Sequence, residues 1–221
     1  MTNRFAVAVA LVGSILLAGA AQATVITADQ GGFRNDFGGS NGTSLSNYLT
    51  GFSARAVAAA EYRSFFGFNL DASAATAEAS ILNIYVGTLA ASQNPPTISL
   101  ALTSTSSVTS FRSLGTGTVF ATPTLTIADA GKTVSITLNA DALSAIQSSA
   151  GSEFYLSMRV TNGSNSSTRD QFAFGNTGTT SNQPLPTLTL VEPTTTAVPE
   201  PMSALLLVTG LAGLMVTQRR G

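Results

Sequence analysis

Apolar and polar residues alternate strictly through most of the middle of this chain. In "YRSFFGFNL" (residues 62–70), Phe66, Phe68 and Leu70 fall on one face and Phe65 on the other. The same period of two recurs in "SILNIYV" with Leu82, Ile84 and Val86, and in "TISLALT" with Ile98, Leu100 and Leu102. It continues in "TLTI" (Leu125, Ile127), "TVSITL" (Val134, Ile136, Leu138) and "EFYLSMRV" (Phe154, Leu156, Met158, Val160). "QFAF" (Phe172, Phe174) and "PTLTLV" (Leu188, Leu190) complete the set. Alternation with Ser and Thr on the opposite face marks half-buried antiparallel strands. Turn-rich stretches such as "SQNPP", "LGTGT", "NGSNSS" and "GNTGTTSNQP" separate them.

One segment departs from that period. "NADALSAIQSSAG" offers Asn139 as an N-cap, Leu143 and Ile146 three apart, and Gly151 just past the end. It predicts one short helix across an end of the domain. About eight strands, long turns and one helix predict an all-β fold: a two-sheet antiparallel β-sandwich, with a jelly roll as the expected topology.

The two ends follow other rules. Arg4 precedes the apolar run "FAVAVALVGSILLAGAA", and "AQA" then places small residues at Ala21 and Ala23. This is the layout of an export signal, with cleavage expected before Thr24; an uncleaved anchor helix is the alternative. At the other end, "EPTTTAVPEP" (residues 192–201) is a Pro- and Thr-rich stretch that favours extended, solvated backbone. An apolar run over residues 202–217 follows, then Gln218, Arg219 and Arg220. A helix of that length reaches ~24 Å, short of the ~30 Å hydrocarbon core, so it suits a transient stop better than a lasting anchor. The arginines predict a cytoplasmic C-terminus and an exported domain. The expected organisation is therefore 1–23 signal peptide, 24–192 β-sandwich, 193–201 linker, 202–217 transmembrane helix and 218–221 basic tail.

Composition removes chemistry more than it adds any. The 221 residues contain no cysteine and no histidine. Disulfides, Cys nucleophiles, Ser-His-Asp triads and ordinary zinc sites are excluded, and no cofactor is implied. Setting aside Arg4, Arg219 and Arg220 leaves seven basic residues against eleven acidic ones, a net charge of about −4 with no basic stripe. Nucleic acid is not an expected partner. A domain of this length buries roughly two-thirds of its unfolded surface, so its core can hold it together without disulfides.

The order Pro199-Glu200-Pro201, apolar helix, Arg219-Arg220 resembles the PEP-CTERM sorting signal of Gram-negative bacteria. That resemblance implies processing by an exosortase, a membrane-embedded cysteine transpeptidase-like enzyme. Pro199, Glu200 and Pro201 would be its recognition motif and Arg219 with Arg220 the cytoplasmic stop. It also implies transient residence in the inner membrane, then delivery to the cell surface or extracellular matrix alongside exopolysaccharide and biofilm. Residues "NYLTG", "EYRSFFGFNLD", "LGTGTVF", "VSITLNADALSAI" and "DQFAFG" resemble uncharacterised exported modules that precede such tails. More distantly, the layout is similar to jelly-roll carbohydrate-binding modules, although this chain has no tryptophan for sugar stacking.

Candidate sites are few. Tyr62 and Arg63, beside Phe65 and Phe66, are candidates to line a ligand groove; the alternative is an arginine paired with Glu61 or Asp170. "ADQGGFRNDFGGSNG" (residues 28–42) places Asp29 and Asp36 in what reads as an oxygen-rich loop, open to calcium or to none. Glu61, Glu78, Glu153 and Asp170 could supply a hydrolase's carboxylate pair, but no spacing joins two of them. A non-enzymatic exported protein is the expectation, with a carbohydrate-binding module as the alternative.

Overall fold

A computed structural model of the chain describes residues 22–43, 47–53, 60–91, 97–163, 170–175 and 183–193. Thirteen strands and one α-helix occur among them: β1 (Ala23–Thr27), β2 (Gln30–Asn35), β3 (Tyr48–Ser53), β4 (Ala60–Asn69), β5 (Ala79–Val86), β6 (Thr88–Ala91), β7 (Thr97–Ser104), β8 (Val119–Ala121), β9 (Thr124–Thr126), β10 (Lys132–Thr137), α1 (Ala140–Ser148), β11 (Glu153–Val160), β12 (Gln171–Gly175) and β13 (Thr187–Val191). All eight alternating segments form strands, but in β12 the buried face is that of Gln171, Ala173 and Gly175, with Phe172 and Phe174 half-buried on the other, and Ile127 falls just past β9, exposed.

The strands make two antiparallel sheets. The smaller runs β1-β13-β5-β10; the larger runs β6-β12-β3-β4-β11-β7-β8, with β2 also on β4 and β9 also on β7. Both line one core. The larger sheet contributes Phe66, Phe68, Leu100, Leu102, Leu156 and Met158, and the smaller Leu82, Ile84, Ile136, Leu188 and Leu190. Residues Gln22–Pro193 form one compact unit around it. Phe65 points to the other side of the larger sheet, where Val108 and Leu114 bury it in a second, small cluster against Tyr155. The opposed Phe65 and Phe66 follow directly from strand pleating.

Helix α1 begins where expected: the Asn139 side chain accepts from the Ala142 N–H at 3.0 Å, and Gly151 takes a φ of 76° just beyond the end. Ala142 and Ile146 are its fully buried residues.

The stretch over residues 28–42 is not the loop that its composition suggested. Residues 30–35 form β2, paired with residues 62–67 of β4. A Cβ at Gly32 would lie 2.5 Å from Asn41 Oδ1, which accepts the Phe33 N–H at 2.7 Å. The glycine therefore lets the following segment fold back onto the strand, and its missing side chain hides the alternation. Asp29 and Asp36 consequently flank a six-residue strand, about 20 Å apart, and cannot share one cation. No group of three metal-ligating side chains occurs among the described residues.

Candidate functional site

Tyr62 and Arg63 are successive residues of one strand and so point to opposite faces. Tyr62 is 2% exposed, its ring edge-on to Phe33 at 5.4 Å, which removes it from any groove. Arg63 lies on the outer face, where its guanidinium makes three contacts. Nε meets Glu61 Oε1 at 2.7 Å, Nη1 donates to the Leu114 carbonyl at 2.7 Å, and Cζ sits 4.2 Å over the Phe111 ring. Glu61, two residues away on the same strand face, is the partner that the charge pattern proposed. Asp170 lies on another segment, just ahead of β12.

Opposite Arg63 on β2 stands Arg34, which donates through Nε to the Val108 carbonyl and through Nη1 to Ser40 Oγ at 2.8 Å. Two arginines from neighbouring strands thus hold main-chain carbonyls of the segment between β7 and β8. Val108 and Leu114 of that segment also roof Phe65. The planar fork of arginine suits this double grip, and the apolar contacts shield it from water. Arg63 is a clamp on a covering loop.

Several clefts open among the described residues. One, of about 510 Å³, lies between the end of α1 and the start of β11, lined by Ser104, Ser106, Ser149, Ser152, Glu153 and Tyr155. Glu153 accepts there from the Tyr155 hydroxyl at 2.5 Å and from Gln30 Nε2 at 2.9 Å. Burial raises the Tyr155 phenol above its ordinary value, and its hydrogen bond to Glu153 with that carboxylate's charge adds to the rise. A neutral phenol locked to one carboxylate can bind a polar ligand, but Glu153 is the sole acid among this cleft's described lining residues. The second cleft, of about 530 Å³, opens between β8–β9 and β10 and is lined by Phe120, Thr122, Leu125, Val134, Ile136 and Asn139.

Of the four candidate acids, Asp170 precedes Gln171, which stands two strands across from Glu61 through Phe52, whereas Glu153 is remote from Glu61. Glu61 and Glu153 flank opposite ends of β4, since Glu153 pairs with Asn69. Eight residues of strand separate those levels, about 26 Å, against the ~5–10 Å that a glycosidase pair requires. Glu78 stands at the start of β5, its N–H on the Val191 carbonyl at 2.7 Å.

The expected signal-cleavage junction meets the smaller sheet. Ala23 and Thr24 lie in edge strand β1, opposite Val191 and Leu190 of β13. The Thr24 hydroxyl donates to Glu192 Oε1 at 2.7 Å, and the Glu192 N–H donates to the Gln22 carbonyl at 2.9 Å. The domain's first and last described strands therefore lie side by side. Ala21, Pro199, Glu200, Pro201, Arg219, Arg220 and the apolar run over residues 202–217 lie outside the described residues. No helix among the described residues is long and apolar enough to cross a membrane.

No protein-family model matches the chain, and no curated protein matches its sequence.

Proposed function

We propose that this chain is an exported, non-enzymatic bacterial surface or matrix protein, built on a jelly-roll sandwich and processed at both ends. Signal peptidase cuts before Thr24, residues 202–217 hold the chain briefly in the inner membrane, and an exosortase acts at Pro199-Glu200-Pro201. The product accompanies exopolysaccharide in the cell-surface or biofilm matrix. The observation that carries this reading is the three-part C-terminus, in which an apolar run too short for a lasting anchor stands between Pro-Glu-Pro and a diarginine. The chemistry missing from the chain supports the non-enzymatic half, since no histidine or cysteine is present to activate a nucleophile.

Intact-mass measurement on protein from producing cells tests the proposal. In cells with an active exosortase, the expected product begins at Thr24 and lacks Arg219 and Arg220. In cells without one, the tail stays on. A stable inner-membrane product that still carries Arg220 in exosortase-positive cells would overturn the sorting assignment.

A second reading, a carbohydrate-binding module with one defined site, is favoured by a specific observation: the 510 Å³ cleft is lined mainly by serine and threonine hydroxyls. Saturable glycan binding that is lost on mutating Glu153 or Tyr155 would select it.

A further inference from the structure

The outer face of the smaller sheet is uncharged. Strand alternation places Val25 and Thr27 of β1, Thr187, Thr189 and Val191 of β13, Ala79, Ile81, Asn83 and Tyr85 of β5, and Thr133, Ser135 and Thr137 of β10 on the side away from the core. Only 10% of the chain's residues are charged, and none of them stands at these twelve positions, which leaves the face to hydroxyl, amide and apolar groups.

The registers order these side chains into rows across the strands. Thr27, Thr187, Asn83 and Ser135 form one polar row, and Val25, Thr189, Ile81 and Thr137 form the next, mixed one. Asn83 ties the rows together: its Nδ2 donates to Thr187 Oγ1 and Thr189 Oγ1 at 3.2 Å each, and its Oδ1 accepts from Ser135 at 2.7 Å. Both threonine oxygens are thereby used as acceptors, which leaves their hydroxyl hydrogens for an acceptor outside the sheet. Beside them Val25 is 60% exposed.

We infer that this face binds a neutral polysaccharide chain, laid across the strands with about one sugar to each. This rests on the matrix role proposed above and names where the polymer is held. Sugar rings present both C–H faces and hydroxyls, matching a mixed row beside a polar one, and a pyranose unit is about as long as the ~4.8 Å strand spacing. Anionic polymers and nucleic acid are disfavoured because no cation stands on the face. A second copy is disfavoured by size: four strands of five residues cover about 300 Å², against ~800 Å² per partner in a standard interface.

The full chain in detergent is to be mixed with two insoluble neutral glucans, cellulose and curdlan, and with alginate beads as the anionic comparison. Retention on at least one neutral glucan, unchanged by added salt and absent on alginate, is the expected result. Thr189→Lys should cut that retention about tenfold or more by setting an unpaired ammonium against the polymer. Asn83→Ala should weaken it, and Thr124→Lys on the larger sheet should leave it alone. Melting curves for each variant separate lost binding from lost fold. Retention unaffected by Thr189→Lys, retention on alginate alone, self-association abolished by Thr189→Lys, or no retention on either glucan would each overturn the assignment. Intact mass reads the sorting step separately, so failure of glycan binding alongside normal tail removal sinks this face and not the export reading.

Discussion

Tyr48 joins the two sheets, and its removal yields a quantitative prediction. The residue sits on β3 of the larger sheet, fully buried, with its ring edge-on to Phe66 at 5.5 Å. Its hydroxyl donates to the Tyr85 carbonyl on β5 of the smaller sheet at 2.6 Å. Among the described residues that carbonyl has no ladder partner of its own: β13 starts opposite Asn83, and the Val86 carbonyl, facing the other edge, is taken by the Gly131 N–H. Gly175 leaves room for the contact, since a Cβ there would lie 2.3 Å from both Tyr48 Cε1 and the Tyr85 oxygen. Tyr48→Phe leaves a carbonyl unsatisfied between the sheets and should cost about 1–3 kcal/mol at neutral pH. Tyr48→Ala adds a cavity and should cost about 3–5 kcal/mol. Burial also pushes the Tyr48 phenol well above its ordinary value of 10.0. In the unfolded chain it ionises near pH 10 while in the fold it stays neutral, so the unfolded state binds fewer protons and stability falls as pH rises. The contribution is whole below pH 10 and declines above it by about 1.4 kcal/mol per pH unit. Urea denaturation of wild type and Tyr48→Phe at pH 7, 9, 10 and 11 measures both effects, and the difference between them cancels Tyr155 and other shared titrations. The two curves should converge above pH 10. Equal stability at pH 7, or parallel alkaline limbs, would refute the bridge.

Three further outcomes are expected. Gly51 has a φ of 133°, and a Cβ there would lie 2.0 Å from the Gln171 carbonyl, so Gly51→Ala should cost about 3 kcal/mol or more, read as a fall in Tm and soluble yield. Asn139→Ala removes both the cap on α1 and the Nδ2 donation to the Val119 carbonyl at 2.9 Å; a loss of about 1–2 kcal/mol is expected, with Asn139→Asp restoring only the cap. Arg63→Ala should speed limited proteolysis within residues 105–118 while α1 and the main core keep their protection, and Arg63→Lys should not rescue it, because a lysine cannot reproduce the fork.

The eight period-two segments and α1 are all present, although in β12 the face that meets the core carries Ala173 and not the alternating Phe172 and Phe174. Four of the five missed strands lack a long alternating run for a local reason. β3 is broken by Gly51, β6 spans only Thr88–Ala91, and β8 is three residues long. In β2 the paired Gly31 and Gly32 carry no side chain to alternate, yet both are buried because their bareness admits the segment packed on them. The site divides the same way. Glu61, two residues from Arg63 on one strand face, was one of the two acids the charge pattern offered. Grouping Tyr62 with Arg63 in a groove overlooked that successive strand residues face opposite ways. Phe111 and Leu114 were not readable, because only the return of the loop after β7 brings them over Arg63. The uncharged outer face was hidden for a different cause: its threonines and serines read singly as solvent positions, and only the registers of four strands assemble them into rows.

The smaller sheet ties the remaining observations together. A cut between Ala23 and Thr24 removes one ladder position, Ala23 opposite Val191, and the bond from the Glu192 N–H to the Gln22 carbonyl. Thr24 to Thr27 keep their partners on β13, Ile26 keeps its packing against the core, and the Thr24 hydroxyl still holds Glu192. On the other side, any cut within residues 193–201 falls beyond Val191, the last residue of β13. Neither cut removes a residue of the described core. The new ammonium at Thr24 would also arise beside the Glu192 carboxylate, an attraction that the uncut chain lacks, worth ~1 kcal/mol or less at such an edge. The ladders of β13, β5 and β10 and the Thr24–Thr27 part of β1 all lie within residues that the proposed processing would retain, so the hydroxyl rows are built from the retained domain itself.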